Sequence, residues 1–423
     1  MAHLRSSALA CLLLMAAGAC SDDCPTLQAC DIRSLSCQLI TFEVTQCVRG
    51  ATPSRAIPAV HIVDADTFID SQVDDAEPAS DQTRAAQRGL ALLGLFPDDA
   101  DPAALVRARW NQIGAFFSSE SGEVTVLDRS GDFDSPGAVI TLAHEFVHSL
   151  QAIEGKPDPT RYRNTFDGQL ALGAMQEGEA ELYADLAALD GYGFDRSDVG
   201  FARIFRNFRE RAWHEARDSS LPITLAYSHF TYAFGGEYIN QPWRAEGRGA
   251  VRELLTDPPI SSRQVLAGPI FTPAERPKQE DPDEVGRPLV GAPFEEVSVL
   301  RAGAWVFEAF RDRWAKNPRE LSEYRDRGFS GDVLTILRDT ESDEVAVIWR
   351  MRFDDADQAE EMLYALREET PFAYRRIDRD VVLAGTSAPE PPEALQGDLQ
   401  WGDRQAPDPI AQAGQPAQLC ELH

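Results

Sequence analysis

His144 and His148 stand four residues apart with Glu145 between them, and these residue types at this spacing can bind and use a metal ion. Side chains at positions i and i+4 project from the same side of an α-helix, about one turn apart. Two imidazoles placed in this way can bind one zinc ion, with the adjacent glutamate available as a general base. The alternative is a buried amphipathic helix whose histidines are satisfied by hydrogen bonds. The chain has seven histidines, and we expect a chance H-E-x-x-H in roughly one such chain in a hundred.

The residues around this motif predict the helix that must carry it. Asp134 and Ser135 are typical capping residues, and Pro136 is favoured in a first helical turn. Apolar residues then recur at helical spacing, which predicts a helix packed in a core. These residues are Val139, Leu142, Ala143, Phe146, Val147 and Leu150.

A second acidic segment, residues 174–182, supplies candidates for a third ligand. A catalytic zinc ion has three protein ligands and one open position. Glu177 and Glu181 are one turn apart on the predicted helix, so Glu177 can bind the metal while Glu181 hydrogen-bonds a ligand histidine. Gly178 has no side chain and would let two helices approach closely. The alternative is a solvated acidic face, but the leucines and alanines around these glutamates favour a packed helix.

Taken together, these motifs resemble those of the gluzincins, zinc metallopeptidases that bind the metal through two histidines and one glutamate. The H-E-x-x-H at residues 144–148 is followed by E-G-x-A at residues 177–180. A Y-x-x-G at residues 232–235 is similar to the motif of aminopeptidase-type gluzincins. The pattern is most similar to that of uncharacterised bacterial lipoprotein-like gluzincins, which also carry H-E-x-x-H-x-x-Q and P-P-x-S-x-x-Q-x-L, here at residues 144–151 and 258–266.

The resemblance implies a metal and its ligands. His144, His148 and Glu177 would bind Zn²⁺ as the cofactor. Glu177 lies further along the chain than the corresponding glutamate of the best-known gluzincins, which leaves Glu179 and Glu181 as alternative ligands.

The resemblance also implies the catalytic groups. Glu145 would take a proton from water and pass it to the leaving amine. Tyr232 would donate a hydrogen bond to the developing oxyanion, with His229 beside it on the same helical face and Tyr227 in the packing. Gly235 would leave room for substrate. The alternative for His229 is a satisfied core residue.

The fold that the resemblance implies is α+β. It is a zincin-like metallopeptidase core, mainly helical with an edge-strand sheet, followed by a small C-terminal α/β layer. The alternating residues 123–127 predict a strand, and in the gluzincin-like fold such a strand is the sheet edge to which extended substrate adds. Alternatively, it is a simple edge strand blunted by Asp128 and Arg129.

Shifts in composition predict six segments along the chain. Residues 1–19 predict a signal peptide, 20–50 a Cys-rich N-terminal segment, 51–268 the catalytic domain, 269–296 a Pro- and charge-rich loop or linker, 297–386 the C-terminal α/β region, and 387–423 an extended tail. In the C-terminal region the pattern predicts helices at 299–314 and 356–368 and strands at 333–338, 345–353 and 381–383.

The N-terminus has the composition of a targeting segment. Arg5 precedes the apolar residues 8–17, which are too few to span a membrane. The A-G-A-C at residues 17–20 is a cleavage site, and it also resembles the site at which a lipoprotein cysteine, here Cys20, is lipidated. Cleavage leaves Cys20, Cys24, Cys30, Cys37, Cys47 and Cys420. They can form three disulfides in a soluble secreted protein, whereas lipidation leaves one of them unpaired. We favour an exported cell-envelope lipoprotein, because polar residues follow the cysteine.

The formal net charge of −29 restricts the partners that we expect. It argues against nucleic acid, because the phosphate backbone selects for basic surfaces. It also argues against electrostatic binding to anionic membranes. We therefore expect a peptide or protein substrate, with membrane contact only through a lipid on Cys20. Two alternatives are a non-catalytic surface protein that uses this scaffold for binding, and a zinc hydrolase of non-peptide amides.

Overall fold

The computed structural model describes residues 24–51, 56–76, 78–97, 100–154, 165–189, 200–217, 223–268, 277–278, 285, 287–289, 293–316, 327–366, 370–388 and 400–402. The predicted signal peptide, Cys20, most of the predicted loop at 269–296 and most of the tail lie outside these ranges. The described chain combines helices with small sheets, so the prediction of a mixed helix-and-strand fold is confirmed. The six predicted segments stay a prediction.

The helices of the first part of the chain are α1 (Leu35–Arg49), α2 (Ala65–Asp74), α3 (Asp81–Leu92), α4 (Pro102–Trp110), α5 (Pro136–Glu154), α6 (Phe166–Leu189), α7 (Phe201–Arg217), α8 (Ile223–Glu246), α9 (Arg248–Thr256) and α10 (Ser262–Leu266). Helices α11 (Gly303–Trp314) and α12 (Ala356–Ala365) follow. The strands are β1 (Val60–Asp64), β2 (Ala115–Ser118), β3 (Glu123–Asp128), β4 (Arg287–Leu289), β5 (Phe294–Leu300), β6 (Phe329–Asp339), β7 (Val345–Phe353), β8 (Phe372–Ile377), β9 (Asp380–Thr386) and β10 (Gln400–Gly402).

The first sheet lies beside α5 and has the strand order β1-β3-β2. Strand β3 contains the alternating segment predicted at residues 123–127. It pairs in parallel with β1 and antiparallel with β2, so it is the central strand of the three. The prediction that this strand forms the sheet edge is therefore wrong, because β1 comes from much earlier in the chain and covers its second side. The outer strand on the side of α5 is β2, which the sequence analysis did not predict.

The second sheet has the antiparallel order β5-β6-β7-β9-β8. Strand β7 has the predicted bounds, and β6, β9 and α12 overlap the predicted elements. The helix predicted from residue 299 begins at Gly303 instead, because Val299 continues β5. Asp332 fixes this helix start by accepting the backbone N–H groups of Ala302 and Gly303 at 2.9 and 3.0 Å. Strand β9 is not the last strand either, since β10 pairs with β4.

Helix α5 is buried on opposite sides. Its Val147 belongs to the main hydrophobic cluster, which extends through α6 and α8 to the second sheet. Its Phe146 belongs to a second cluster beneath the first sheet, where the ring contacts Phe42 of α1 with centroids 5.2 Å apart. The polar residues of the H-E-x-x-H are therefore carried by a helix that is anchored by apolar contacts on both flanks.

Helices α6 and α8 approach closely where Gly178 faces Gly235. A Cβ on Gly178 would overlap the backbone of Gly235, and a Cβ on Gly235 would overlap the carbonyl oxygen of Ala174. The prediction that Gly178 lets two helices approach is confirmed. The prediction that Gly235 leaves room for substrate is wrong, because the backbone of α6 fills that space.

Two disulfides, Cys24–Cys47 and Cys30–Cys37, hold the N-terminal segment to α1. The prediction of disulfides is confirmed, and such bonds form in oxidising compartments. These four cysteines are therefore not free to bind a metal, while Cys20 and Cys420 lie outside the described residues. In the part of the chain that the structure describes, none of the helices is long and apolar enough to cross a membrane.

Candidate metal centre

The start of α5 sets the position of the H-E-x-x-H. The helix begins at Pro136, as predicted, and the hydroxyl of Ser135 accepts the backbone N–H of Ala138 at 3.2 Å. His144, Glu145 and His148 then follow on the middle turns, where they are 7%, 5% and 6% exposed. Burial of polar side chains is costly unless they find partners, so the groups around them decide what this part of α5 can do.

His144 and His148 converge on Glu177 of α6. One ligand atom from each residue lies within 4.8 Å of the other two, and all three residues are buried. The Nε2 atoms of the two histidines are 3.0 Å apart. Oε2 of Glu177 lies 3.1 Å from Nε2 of His144 and 3.4 Å from Nε2 of His148. The convergence expected from the sequence is therefore present.

These distances fit a single small cation. Ligands arranged tetrahedrally at about 2.0–2.1 Å from zinc lie about 3.3–3.4 Å from one another. The three separations observed among the ligand atoms, 3.0, 3.1 and 3.4 Å, are close to that value. Two imidazoles and one carboxylate are also a typical donor set for catalytic zinc. The cluster can therefore hold a metal ion, and its chemistry suits zinc.

The other two glutamates of α6 have different partners. Oε1 of Glu181 lies 3.4 Å from Nδ1 of His144, on the side of the ring away from Glu177, as the helical spacing predicted. Glu179 is turned from the cluster and pairs with Arg49 of α1, with Oε1 2.9 Å from Nε. Of the three candidate carboxylates, Glu177 is thus the one that joins both histidines.

The carboxylates set the charge state of the histidines. Burial lowers the pKa of His144, but its hydrogen bonds to Glu177 and Glu181 outweigh burial and raise the pKa well above its usual range. The pKa of His148 is also raised, because the charge and hydrogen bond of Glu177 outweigh the lowering effect of burial. Both histidines thus lie in an environment that favours positive charge.

Glu145 is held between the histidines and the first sheet. Burial raises its pKa, the nearby histidines lower it, and Glu177 raises it further. The backbone N–H of Phe117 donates a hydrogen bond to the Glu145 carboxylate. Because Phe117 belongs to β2, this bond joins the H-E-x-x-H to the outer strand of the sheet. Sequence reasoning missed this contact, since a backbone donor leaves no residue signature.

Tyr232 of α8 lies against the cluster. Its ring stacks on that of His144, with centroids 5.7 Å apart and planes 20° apart. Its hydroxyl donates a hydrogen bond to Glu177. Burial and the charges of nearby glutamates raise the pKa of Tyr232 well above its usual range, so the hydroxyl keeps its proton and can donate. The close approach of α6 and α8 at Gly178 and Gly235 brings Tyr232 to this position.

The other candidate donors of α8 are less well defined. His229 lies three residues before Tyr232 on the same helix and is half-buried. Its part in the site stays a prediction. The side chain of Tyr227 lies outside the described part of the structure, so the prediction that it belongs to the packing is untested.

Gln151 contacts the second nitrogen of His148, with Oε1 2.9 Å from Nδ1. In the sequence this glutamine is recognisable only as part of the H-E-x-x-H-x-x-Q at residues 144–151. A side-chain amide three residues after the last histidine of the H-E-x-x-H lies on the same helical face, which is the one sequence signal that could have suggested the contact.

A scan against protein-family models and searches of curated proteins and of solved structures find no match to the chain. What can be said of this centre therefore rests on its residues and their geometry.

Proposed function

We propose that this protein is an exported, zinc-dependent hydrolase of peptide bonds with a gluzincin-like, zincin-type core. The observation that carries the proposal is the convergence of His144, His148 and Glu177 within 4.8 Å, beside a buried glutamate and a protonated tyrosine. Metal ligands alone serve structural sites as well. The addition of Glu145 and Tyr232 supports hydrolysis, because these two groups suit the proton and charge movements that amide cleavage needs.

A zinc ion bound there would supply Lewis acidity, which makes water a nucleophile near neutral pH and polarises a carbonyl group. Glu145 accepts the proton of the attacking water and returns it to the leaving amine. The hydrogen bond from Phe117 keeps the Glu145 carboxylate oriented while this carboxylate accepts and releases the proton. The hydroxyl of Tyr232 donates to the oxygen on which negative charge develops, and its high pKa keeps it in the donating form.

Strand β2 supports an extended peptide as the substrate. It is the outer strand of its sheet on the side of α5, and its Phe117 contacts the proposed base. A peptide that adds to such an edge gains backbone hydrogen bonds that do not depend on its sequence. We assign to β2 the substrate-binding role that the resemblance suggested for β3.

The alternative of a non-catalytic binding protein makes a different prediction about Glu145. Binding on this scaffold would need the fold, but it would not need a carboxylate beside both histidines. A test of Glu145 therefore separates hydrolysis from binding.

The decisive experiment incubates wild-type protein with a mixed peptide library and reads cleavage by mass spectrometry. Glu145→Gln should retain zinc and lose cleavage, because the amide cannot accept the proton. Glu253→Gln, the same change at an exposed residue of α9, is the matched control and should cleave like wild type. Cleavage should also stop on removal of zinc by a chelator and return when zinc is restored. Equal cleavage by wild type and Glu145→Gln would contradict the proposal.

We also infer export and tethering at the N-terminus. The two disulfides support an oxidising destination, and the A-G-A-C at residues 17–20 supports lipidation of Cys20. Metabolic labelling with a fatty acid should mark the wild type and leave Cys20→Ser unlabelled and soluble. A mature protein in which Cys20 forms a disulfide would contradict the tether and leave a secreted soluble protein.

A further inference from the structure

The side-chain amide of Gln151 has one orientation that satisfies its partners. Its Nε2 lies 2.9 Å from Oε2 of Glu179 and 3.0 Å from the carbonyl oxygen of Gln176. A carboxylate and a carbonyl only accept hydrogen bonds, so the atom between them must be the donating nitrogen. The oxygen of the amide therefore faces His148, where it lies 2.9 Å from Nδ1.

This orientation fixes the tautomer of His148. The amide oxygen of Gln151 can only accept, so Nδ1 of His148 must carry the hydrogen of this bond. In the neutral imidazole, Nε2 then has the free electron pair that a metal needs. Nε2 is also the atom that faces His144 and Glu177. The bond to Gln151 therefore prepares the metal-binding nitrogen of His148 and holds its ring.

The charge behind Gln151 is balanced by α1. Glu179 is 3% exposed, and its Oε1 accepts from Nε of Arg49 at 2.9 Å. Arg49 also donates from Nη1 to Glu154 at 2.7 Å. A buried carboxylate without such a partner would be costly. Arg49 therefore gives one oxygen of the buried Glu179 carboxylate a charged partner, while the other oxygen holds the amide of Gln151.

Arg49 is itself held by a covalent cross-link. It is the last residue of α1, and it lies two residues after Cys47, which forms a disulfide with Cys24. The second disulfide joins Cys30 to Cys37 in the first turns of the same helix, at the end far from Arg49. The end of α1 that bears Arg49 is thus fixed independently of the other end.

We propose that Gln151, Glu179 and Arg49 are positioning residues that hold His148 for metal binding, and that the Cys24–Cys47 disulfide extends this support to α1. These three residues are called the support network below. The proposal rests on the proposed function, because it assumes that the centre binds zinc. It adds that metal affinity depends on residues of the N-terminal helix, far from the H-E-x-x-H in sequence.

The test measures the zinc affinity of the full chain by competition with a chromogenic chelator. Gln151→Leu should weaken zinc binding about ten- to a hundredfold, the usual effect of losing a partner that orients a metal ligand. Gln38→Leu makes the same chemical change on α1, where the amide donates to the carbonyl of Ile32 instead. This matched control should bind zinc as tightly as wild type.

A swap of two side chains separates positioning from general packing. Glu179→Gln is nearly isosteric but must turn an amide N–H toward either Gln151 or Arg49, both of which donate, so zinc binding should weaken about tenfold or less. Adding Gln151→Glu gives the amide at position 179 an acceptor, and the new carboxylate accepts from His148, while the carbonyl oxygen of Gln176 loses its donor. The double variant should therefore bind zinc more tightly than Glu179→Gln alone, with part of the lost affinity recovered. A purely structural role predicts no such recovery.

The two disulfides test the contribution of α1. Replacing Cys24 and Cys47 by serine should weaken zinc binding more than replacing Cys30 and Cys37 by serine. The second pair lies at the far end of the same helix and is the matched control. Equal zinc affinity of the two double variants would show that the Cys24–Cys47 disulfide does not support the metal site.

Each remaining outcome has one meaning. If wild type binds no zinc, both the proposed function and the support network are wrong. If wild type binds zinc and neither Gln151→Leu nor Glu179→Gln weakens it, the support network alone is wrong. If Gln151→Leu does not fold, Glu179→Gln and its recovery by Gln151→Glu decide the matter.

Discussion

Charged side chains are buried in two regions of this protein, and the two regions give them different partners. In the sheet region, formed by β5–β9 with α11 and α12, Asp380 accepts from Arg350 at 2.6 Å and from Arg352 at 2.8 Å. In the metal-centre region, formed by α5, α6 and α8, the carboxylate of Glu177 faces two histidines at 3.1 and 3.4 Å. Both regions bury carboxylates, but Asp380 is paired with arginines whereas Glu177 is paired with histidines.

The nature of the partner decides whether a buried carboxylate implies a ligand. An arginine is charged at every relevant pH, so Asp380 is balanced by the chain itself. A free histidine is mostly neutral above its ordinary pKa of about 6.5, so the carboxylates of the centre are balanced only when the histidines take up a proton or a cation binds beside them. Burial lowers the pKa of His144, but the neighbouring glutamates raise it more, because a protonated imidazole supplies the positive charge that balances them. A metal cation would supply it instead.

The largest expected difference between the regions is in metal content. His148→Ala should lose zinc, because it removes one of the two metal-binding nitrogens. Asp380→Asn should keep full zinc and lower the free energy of unfolding by about 1–3 kcal/mol, since its arginines lose a charged acceptor. Elemental analysis and urea unfolding of both purified variants measure these effects. Equal zinc in His148→Ala and wild type would contradict the metal assignment.

The next largest effect concerns turnover. Tyr232→Phe should lower kcat by about two to three orders of magnitude with zinc retained, because an oxyanion donor acts mainly in the transition state. KM should change less. Tyr364→Phe, at a 70% exposed tyrosine of the sheet region, is the matched control. Near wild-type kcat for Tyr232→Phe on a cleaved peptide would assign the donor to another group, and His229→Ala would then be measured.

A smaller effect should follow from the crossing of α6 and α8. Gly235→Ala introduces a Cβ that overlaps the carbonyl of Ala174, so the helices must separate. We expect a loss of about 1–3 kcal/mol in the free energy of unfolding, together with a lower kcat because Tyr232 moves with α8. Gly249→Ala on α9 meets nothing within 4 Å and should be neutral or stabilising by up to about 1 kcal/mol. Equal stability of the two variants would show that the crossing tolerates a side chain.

A pH dependence of stability is expected at the boundary between the regions. Asp167 of α6 accepts the backbone N–H of Ser262 at 2.8 Å, and the hydroxyl of Ser262 in turn accepts the N–H of Trp305 in α11 at 3.1 Å. The pKa of Asp167 is raised from 3.8 to about 7, mainly by burial. The hydrogen bonds from Ser262 lower it, and the charge of Asp332 raises it.

The sign of this dependence follows from proton binding. Between about pH 4 and 7 the folded state keeps the Asp167 proton while the unfolded state releases it, so stability falls as pH rises. Asp167→Asn cannot titrate, and its stability relative to wild type should therefore improve across this range. Urea unfolding at several pH values measures the difference. Parallel curves for the two proteins would contradict the raised pKa.

The sequence predicted those parts of the centre that follow from short-range spacing. The histidines of α5 and the pair Glu177 and Glu181 of α6 were predicted because helical periodicity alone sets their directions. The start of α5 at Pro136 followed from capping chemistry. These predictions needed no knowledge of how the elements pack.

The missed parts depend on packing between distant segments. Arg49 meets Glu179 across 130 residues of sequence, and periodicity carries no information about such a contact. The prediction that β3 is an edge strand was wrong because β1, which lies before α2 in the chain, pairs with its second side. Phe117 contributes a backbone N–H, which every residue except proline has. The prediction for Gly235 was wrong because a glycine can leave space either for a substrate or for a neighbouring helix. Only the position of α6 distinguishes these two possibilities.

The contact between Gly178 and Gly235 has a consequence for protein engineering. It makes the proposed ligand Glu177 and the proposed donor Tyr232 parts of one helix pair, whose spacing is set by backbone against backbone. Helices that meet through larger side chains lie about 8–10 Å apart. If only the polar side chains of the centre were placed on helices at that distance, the hydroxyl of Tyr232 would be separated from the carboxylate of Glu177. The smallest portable unit of this centre is therefore a pair of glycine-crossed helices together with α5.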